Sequence, residues 1–310
     1  MSTEPTAEST AASTAASTAE PTTEPTTEPT AAPPAEASTA PSAGPSTGPS
    51  TEPAGERARR TLLVRPPSAR LADGELTHLD RVPVDVDLAA EQWQRYVEVF
   101  RGFGWDVRAV PAAEGHPDGV FVEDAVVVFD DLAVLTRPGA PTRRGEVGSV
   151  RPVVEAAVRE IAEITEPGTL EGGDILKVGR TVYVGRTVRT NADGADQLRA
   201  LLEPRGWRVV EVPVTRALHL KSAVTALPDG TVIGYEPVVD DVSRFDGFLA
   251  VPEAEGSAVV VLDETTVLLS AAAPGTAELL RGRGLTVLTT PVTEFEKLEG
   301  CVTCLSVRVR

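Results

Sequence analysis

Ile175-Leu176-Lys177-Val178, then Thr181-Val182-Tyr183-Val184, then Ala195-Asp196-Gln197-Leu198-Arg199-Ala200-Leu201-Leu202, then Arg208-Val209-Val210-Glu211-Val212 is the stretch on which the fold turns. Short runs rich in Val, Ile and Tyr read as strands, and the longer segment between them as a helix. The order is strand, strand, helix, strand. Upstream, the same reading gives strands at 61–65, 107–110, 120–122, 125–129 and 132–136. It gives helices at 88–102, with Trp93, Val97 and Phe100 on one face, and at 150–161. Downstream it gives strands at 223–227, 231–234, 257–262, 266–269, 286–288 and 302–309, and a helix at 276–283. The theme returns about every 50 residues, which suggests several ββαβ units closed around an axis. Prolines and glycines fall between these elements, as turn residues should.

The first 55 residues stand outside this pattern. They hold no aromatic residue, no Lys and no Arg, and run as near-repeats such as Glu20-Pro21-Thr22-Thr23-Glu24-Pro25. Such a segment buries too little apolar surface to offset its ordering entropy. The expected division is a disordered tail over 1–58, read as a spacer, and one folded domain over 59–310. The tail carries seven acids, so of a net charge of −17 the remainder holds −17 − (−7) = −10. Net acidity argues against nucleic acid as a partner, since phosphate binding needs a basic surface. No basic start with an apolar stretch marks a signal peptide, and no run approaches the roughly 18–20 apolar residues of a membrane helix. Two cysteines make no disulfide framework, so a reducing cytoplasm is the expected setting.

Several polar residues are not explained by strand and helix formation. His116-Pro117-Asp118-Gly119-Val120-Phe121-Val122-Glu123-Asp124 sets acids against apolar runs, and an unpaired buried carboxylate is costly. Leu170-Glu171-Gly172-Gly173-Asp174 places acids around two glycines that permit close backbone approach. Its spacing does not match an EF-hand, and its acids repel phosphate. Thr136-Arg137-Pro138-Gly139-Ala140-Pro141-Thr142-Arg143-Arg144 and Arg189-Thr190-Asn191 present cations. Taken alone, each arginine segment is more simply a solvated surface. Together, acids and arginines suit a zwitterionic ligand with a cationic end, because arginine binds a carboxylate in a bidentate fork.

Cys304 lies near the carboxyl end, and His219 lies far upstream in Leu218-His219-Leu220-Lys221-Ser222, a candidate nucleophile and proton-transfer pair. Cys304 as a buried small hydrophobe and His219 as a satisfied histidine are the plain alternatives. The Cys301-x-x-Cys304 spacing resembles a redox motif, but that motif opens a helix and this segment reads as a strand. A zinc site would need more ligands than the scattered His78, His116 and His219 supply. In a strand, residues three apart face opposite sides, so the two cysteines are expected not to act as a pair.

At these segments the chain resembles the dimethylarginine dimethylaminohydrolase family of the guanidine-modifying (pentein, amidinotransferase-like) superfamily. Six separated motifs agree, in order, over about residues 60 to 310; the tail has no counterpart. The resemblance implies a five-bladed, pseudo-symmetric α/β propeller of ββαβ units with its site at the centre. It implies Cys304 as nucleophile, His219 as general acid and base, and Glu171 as holder of the guanidinium and orienter of His219. Asp124, with Glu123 beside it, would bind the unmethylated nitrogens. Arg143 and Arg189 would clamp the α-carboxylate and Asp118 the α-amino group. The backbone of Leu298 would line the pocket, and the loop around Leu71 would form a lid. The activity implied is hydrolysis of asymmetric dimethylarginine, and of monomethylarginine, to citrulline and the amine, through a covalent thiouronium. No metal or organic cofactor is expected. The expected partner is the small methylated-arginine substrate, and the chain is expected as a monomer or homodimer.

Arginine and agmatine deiminases of that superfamily carry an acid two residues after the histidine, where this chain has Lys221. A dimethylated nitrogen has no N–H to donate, so a carboxylate facing it would be left unpaired. The lysine therefore favours a methylated guanidine over free arginine. A deiminase is the alternative enzyme. A non-catalytic pentein binding protein is the alternative of another class, disfavoured by the presence of Cys304, His219, the acids and both arginines together.

Overall fold

Among the described residues, fifteen strands form five three-stranded sheets. The computed structural model describes residues 60–310, and the expected tail over 1–58 lies outside the described residues. In the first sheet β1 (Thr61–Val64) pairs with β2 (Asp106–Ala109) across helix α1 (Val86–Gly102). The second holds β3 (Val126–Phe129), β4 (Leu132–Leu135) and, after α2 (Val147–Glu155), β5 (Glu160–Glu163). The third holds β6 (Ile175–Val178), β7 (Thr181–Arg186) and, after α3 (Ala192–Leu202), β8 (Arg208–Pro213). The one-turn helix α4 (Leu220–Ala223) leads into the fourth sheet, of β9 (Val224–Ala226), β10 (Val232–Gly234) and β11 (Phe248–Ala250). The fifth holds β12 (Val259–Val261), β13 (Thr266–Ser270) and, after α5 (Pro274–Gly282), β14 (Thr286–Thr290). A second one-turn helix, α6 (Thr293–Glu296), precedes β15 (Val307–Val309).

Within each sheet an antiparallel pair is followed by a parallel neighbour. A parallel neighbour needs a crossover, which a helix supplies in four sheets. In the fourth sheet 3-10 turns at Glu236–Val238 and Val242–Arg244 replace the helix. The last strand, β15, pairs antiparallel with the first, β1, with Leu62 opposite Arg308, so the two ends of the described chain close the ring. Residues of β3, β6, β9, β12 and β15 face one shared cavity, which makes these the inner strands of a five-bladed α/β propeller. Among the described residues no helix is long and apolar enough to cross a membrane.

The blades hold together through apolar faces buried between neighbours. Helix α1 starts at Asp85, whose carboxylate accepts from the Leu88 N–H at 3.0 Å, an N-cap of the usual kind. It buries Ala89, Tyr96, Val97 and Phe100; full burial of a ring such as Phe100 stabilises by roughly 1.5–3 kcal/mol.

Three expected elements differ, and one further strand was not expected. The helix expected over 150–161 ends at Glu155, and 160–163 is instead the third strand β5, with Ile161 opposite Ala133. Ala157, Val158 and Ile161 suit either period, and the free edge of β4 decides. Strand β11 carries too short an apolar run to announce itself. The segment 120–122 is 3-10 turn rather than strand, and only 307–309 of the strand expected over 302–309 pairs. Residues 302–305 are turn, because they must leave the sheet to bring Cys304 to the centre.

Candidate active site

The Gly172–Gly173 pair lets two chain segments meet. A side chain at Gly172 would run into the carbonyl of Glu123, and one at Gly173 would lie 2.6 Å from the His219 ring. With no Cβ there, the Gly173 N–H donates to Asp124 Oδ1 at 2.8 Å. Glu171, on the upstream side of this turn, is wholly buried, and its Oε2 lies 2.7 Å from His219 Nε2. Asp124 Oδ1 is 4.0 Å from the same nitrogen.

His219 precedes α4, whose first N–H, at Leu220, donates to buried Asp174. Burial alone would lower its pKa, but Asp124, Asp174 and Glu171 outweigh that and raise it to about 9. The ring is therefore an imidazolium at neutral pH. Burial pushes Asp124 and Glu171 upward, yet His219 and Arg143 hold both below the usual carboxylate range. Asp124, Glu171 and His219 offer ligand atoms within 4.8 Å of one another, a set that could hold a cation. Arg143 and Arg189 already place guanidinium nitrogens 3.9 and 3.5 Å from Glu171.

Cys304 sits in the turn after α6. Its N–H donates to the Cys301 carbonyl at 3.1 Å, and its own carbonyl accepts from the Glu123 N–H at 3.3 Å. Arg308 braces the same loop through the Thr303 and Ser306 carbonyls, both at 3.0 Å. The turn brings the two thiols together, with Sγ–Sγ 3.3 Å. The expectation that Cys301 and Cys304 face apart fails, because it assumed an extended chain. Cys301, then burial, then the nearby carboxylates push the Cys304 thiol above its ordinary pKa, so it is neutral at neutral pH.

One small pocket gathers Asp118, Asp124, Arg143, Arg189, His219, Leu298 and Cys304, with Glu75, Phe121, Leu218, Glu299 and Gly300. It holds about 20 Å³, room for about one water molecule. The loop from Leu71 covers it. Asp118 accepts from the Glu75 N–H at 3.1 Å, and Glu299 accepts from the Thr77 and Leu79 N–H groups at 2.8 and 3.1 Å. Arg189 Nη2 lies 3.2 Å from the Glu75 carboxylate. Arg143 is engaged differently from the open clamp expected of it. It bonds Asp124 at 2.7 Å, grips both oxygens of Glu146, and donates to the Asp118 and Phe121 carbonyls.

Two expected site residues lie elsewhere. Glu123 turns away from Asp124, and its Oε1 pairs with Lys221 and Arg308, each at 2.6 Å, in a cavity behind the pocket. Neighbours in a tight turn cannot both face one side. Lys221 faces that rear cavity as well, so its sequence position does not report on the pocket wall. Leu71 is wholly buried in the core beside Leu298 rather than facing the pocket. Glu75 and Glu299 were missed: nothing in a loop sequence announces Glu75, but Glu299 stands next to the cysteine-bearing segment and was there to be weighed.

No protein-family model matches the chain. It is 56% identical over 248 residues, 80% of this chain and 96% of the other, to N(G),N(G)-dimethylarginine dimethylaminohydrolase of Streptomyces coelicolor. The Pseudomonas aeruginosa protein of the same name is 34% identical over 251 residues, 80% and 98% of the two chains. A solved structure of that Pseudomonas enzyme, a cysteine-to-serine mutant complexed with citrulline, superposes with a TM-score of 0.74 at 32% identity, covering 80% and 98%.

Proposed function

Because the chain belongs to the dimethylarginine dimethylaminohydrolase family, we propose that it hydrolyses asymmetric dimethylarginine, and monomethylarginine, to citrulline and the free amine. The observation that carries this reading is the meeting of Cys304, imidazolium His219 and buried Asp124 at one pocket, with buried Glu171 directly against the His219 ring. A guanidinium is a resonance-stabilised cation, and two carboxylates suit it as hydrogen-bond acceptors. Asp124 and Glu171 take its N–H groups, while Arg189 takes the α-carboxylate after Glu75 swings aside. Asp118 takes the α-amino group. Arg143 positions Asp124 rather than touching the substrate.

The chemistry follows from the charges. The Cys301 contact, burial and the nearby carboxylates hold the Cys304 thiol neutral; the arriving cation favours the charged sulfur against them, and the thiol releases its proton to solvent. The thiolate attacks the central guanidinium carbon and a tetrahedral adduct forms. His219 gives its proton to the dimethylated nitrogen, the C–N bond breaks and dimethylamine leaves. A thiouronium remains on Cys304. His219, now neutral, takes a proton from water, and the hydroxide attacks the same carbon. The C–S bond breaks as the new hydroxyl gives its proton to solvent, releasing citrulline and the thiolate. A single chain supplies every residue named, so monomer and homodimer both serve. Two free cysteines suit a reducing, cytoplasmic setting.

The test is citrulline formation from dimethylarginine, monomethylarginine and arginine at equal concentration. Turnover of the methylated substrates with Cys304→Ser inactive is expected. Equal or faster turnover of arginine makes the enzyme a deiminase instead.

A further inference from the structure

Behind the active site the propeller forms a second cavity, open to solvent, of about 320 Å³, into which Glu123 faces while Asp124 faces the pocket of Cys304. Lys177, Lys221, Arg308 and Arg310 line it against two acids, Glu123 and Asp130. Asp130 is paired with Arg180, and one oxygen of Glu123 serves both Lys221 and Arg308. Lys177 makes a single hydrogen bond, to the Val128 carbonyl at 2.7 Å, and has no carboxylate partner among the described residues. Desolvation, then Lys221, Arg308 and Arg310, lower its pKa from the usual lysine range although the residue as a whole is exposed, so the cations repel one another. A chain of net charge −17 has no general basicity that would explain this concentration.

We propose that this cavity binds an oxyanion of the phosphate class, inorganic phosphate or a small phosphate monoester, between Lys177, Lys221 and Arg308. These three cations come from β6, α4 and β15, and a tetrahedral anion presents oxygens in several directions where a planar carboxylate presents two in one plane. The apolar walls of Val126, Val128 and Val260 leave room for a small organic group on a monoester.

The test reads thermal unfolding and titration calorimetry with inorganic phosphate, against sodium chloride at matched ionic strength. The wild type should show a saturable rise in Tm. Lys177→Gln, which keeps a donor for the Val128 carbonyl but no charge, should bind phosphate at least tenfold more weakly. Lys177→Arg should retain binding, and so should Arg189→Ala, which alters the front pocket. No saturable effect beyond chloride overturns the proposal. So does an effect lost in Arg189→Ala and kept in Lys177→Gln, which would place the phosphate in front.

The thiol pair carries an independent second inference. The Cys304 N–H to Cys301 carbonyl bond closes a turn, which keeps the two α-carbons within roughly 7 Å, the range a disulfide spans. Cys301 is the more accessible of the two. The geometry points to an internal, reversible Cys301–Cys304 disulfide formed on exposure to peroxide. One thiolate attacks hydrogen peroxide, breaking the O–O bond and giving a sulfenic acid and hydroxide. The other thiolate displaces hydroxide from that sulfur, so two thiols and one peroxide become one disulfide and two waters. Mass spectrometry after stoichiometric peroxide should show a loss of about two hydrogen masses, reversed by dithiothreitol. Cys301→Ser should instead gain oxygen on Cys304 and resist rescue once it passes the sulfenic stage. Oxygen gain without the internal link in the wild type overturns the inference, whatever the substrate proves to be.

Discussion

His219 concentrates the site's electrostatics in one proton. Its pKa is raised to about 9 in the folded chain by Asp124, Asp174 and Glu171 against the lowering effect of burial, and an unfolded histidine sits near 6.5. A raised value means that the protonated ring stabilises the fold fully below about pH 6.5, and that this contribution disappears as pH rises through about 9. The shift corresponds to roughly 3 kcal/mol. Urea unfolding between pH 6.5 and 9.5 should therefore weaken the wild type more than His219→Ala, and parallel pH dependences would exclude the imidazolium. kcat/KM should fall on the alkaline side near the same pH, because the amine loses its proton donor. At this scale much was legible. Cys304, His219, Glu171, Asp124, Asp118 and Arg189 were named by type and order, and all stand at the pocket or directly against it. Glu123 was misplaced because adjacent letters do not reveal which way a turn aims each side chain.

Among elements, the Gly172–Gly173 turn and the cysteine-bearing turn determine the geometry. Alanine at Gly173 would place a methyl group 2.6 Å from the His219 ring and 2.8 Å from Asp124. Displacing either group by about 1 Å costs roughly 100-fold in rate. Gly173→Ala should lower kcat by that order while circular dichroism still reports a folded chain; full activity would show that the close approach does not matter. The strand pattern of β6 and β7 was readable because alternation and length agree. The end of α2 and the start of β5 were not, since one apolar set fits a helix or a strand and only the edge of β4 arbitrates. The cysteine turn was read as a strand for the same reason, and with it the contact between the two thiols was lost.

For the molecule as a whole, ring closure is the decisive tertiary event. The inner strands are contributed along the entire described chain, yet β15 must return to β1 before Cys304 reaches His219. Deleting 307–310 removes the buried side chains of Val307 and Val309 and the brace that Arg308 gives the loop. The loss, roughly 5 kcal/mol or more, is comparable to the whole stability of an ordinary domain. Thermal melts should lose their cooperative transition; a sharp, unshifted melt would mean that the ring closes without β15. Periodicity suggested repeated units around an axis, but nothing in a repeat states its number or which strand closes it.

The account rests on a covalent bond between Cys304 and the guanidinium carbon, and rapid acid quench with peptide mass spectrometry reads that bond directly. With dimethylarginine and the Cys301→Ser chain, the peptide containing Cys304 should carry the substrate minus dimethylamine, and none should form with Cys304→Ser. Citrulline production by Cys304→Ser, or steady turnover with no adduct at any quench time, would contradict it.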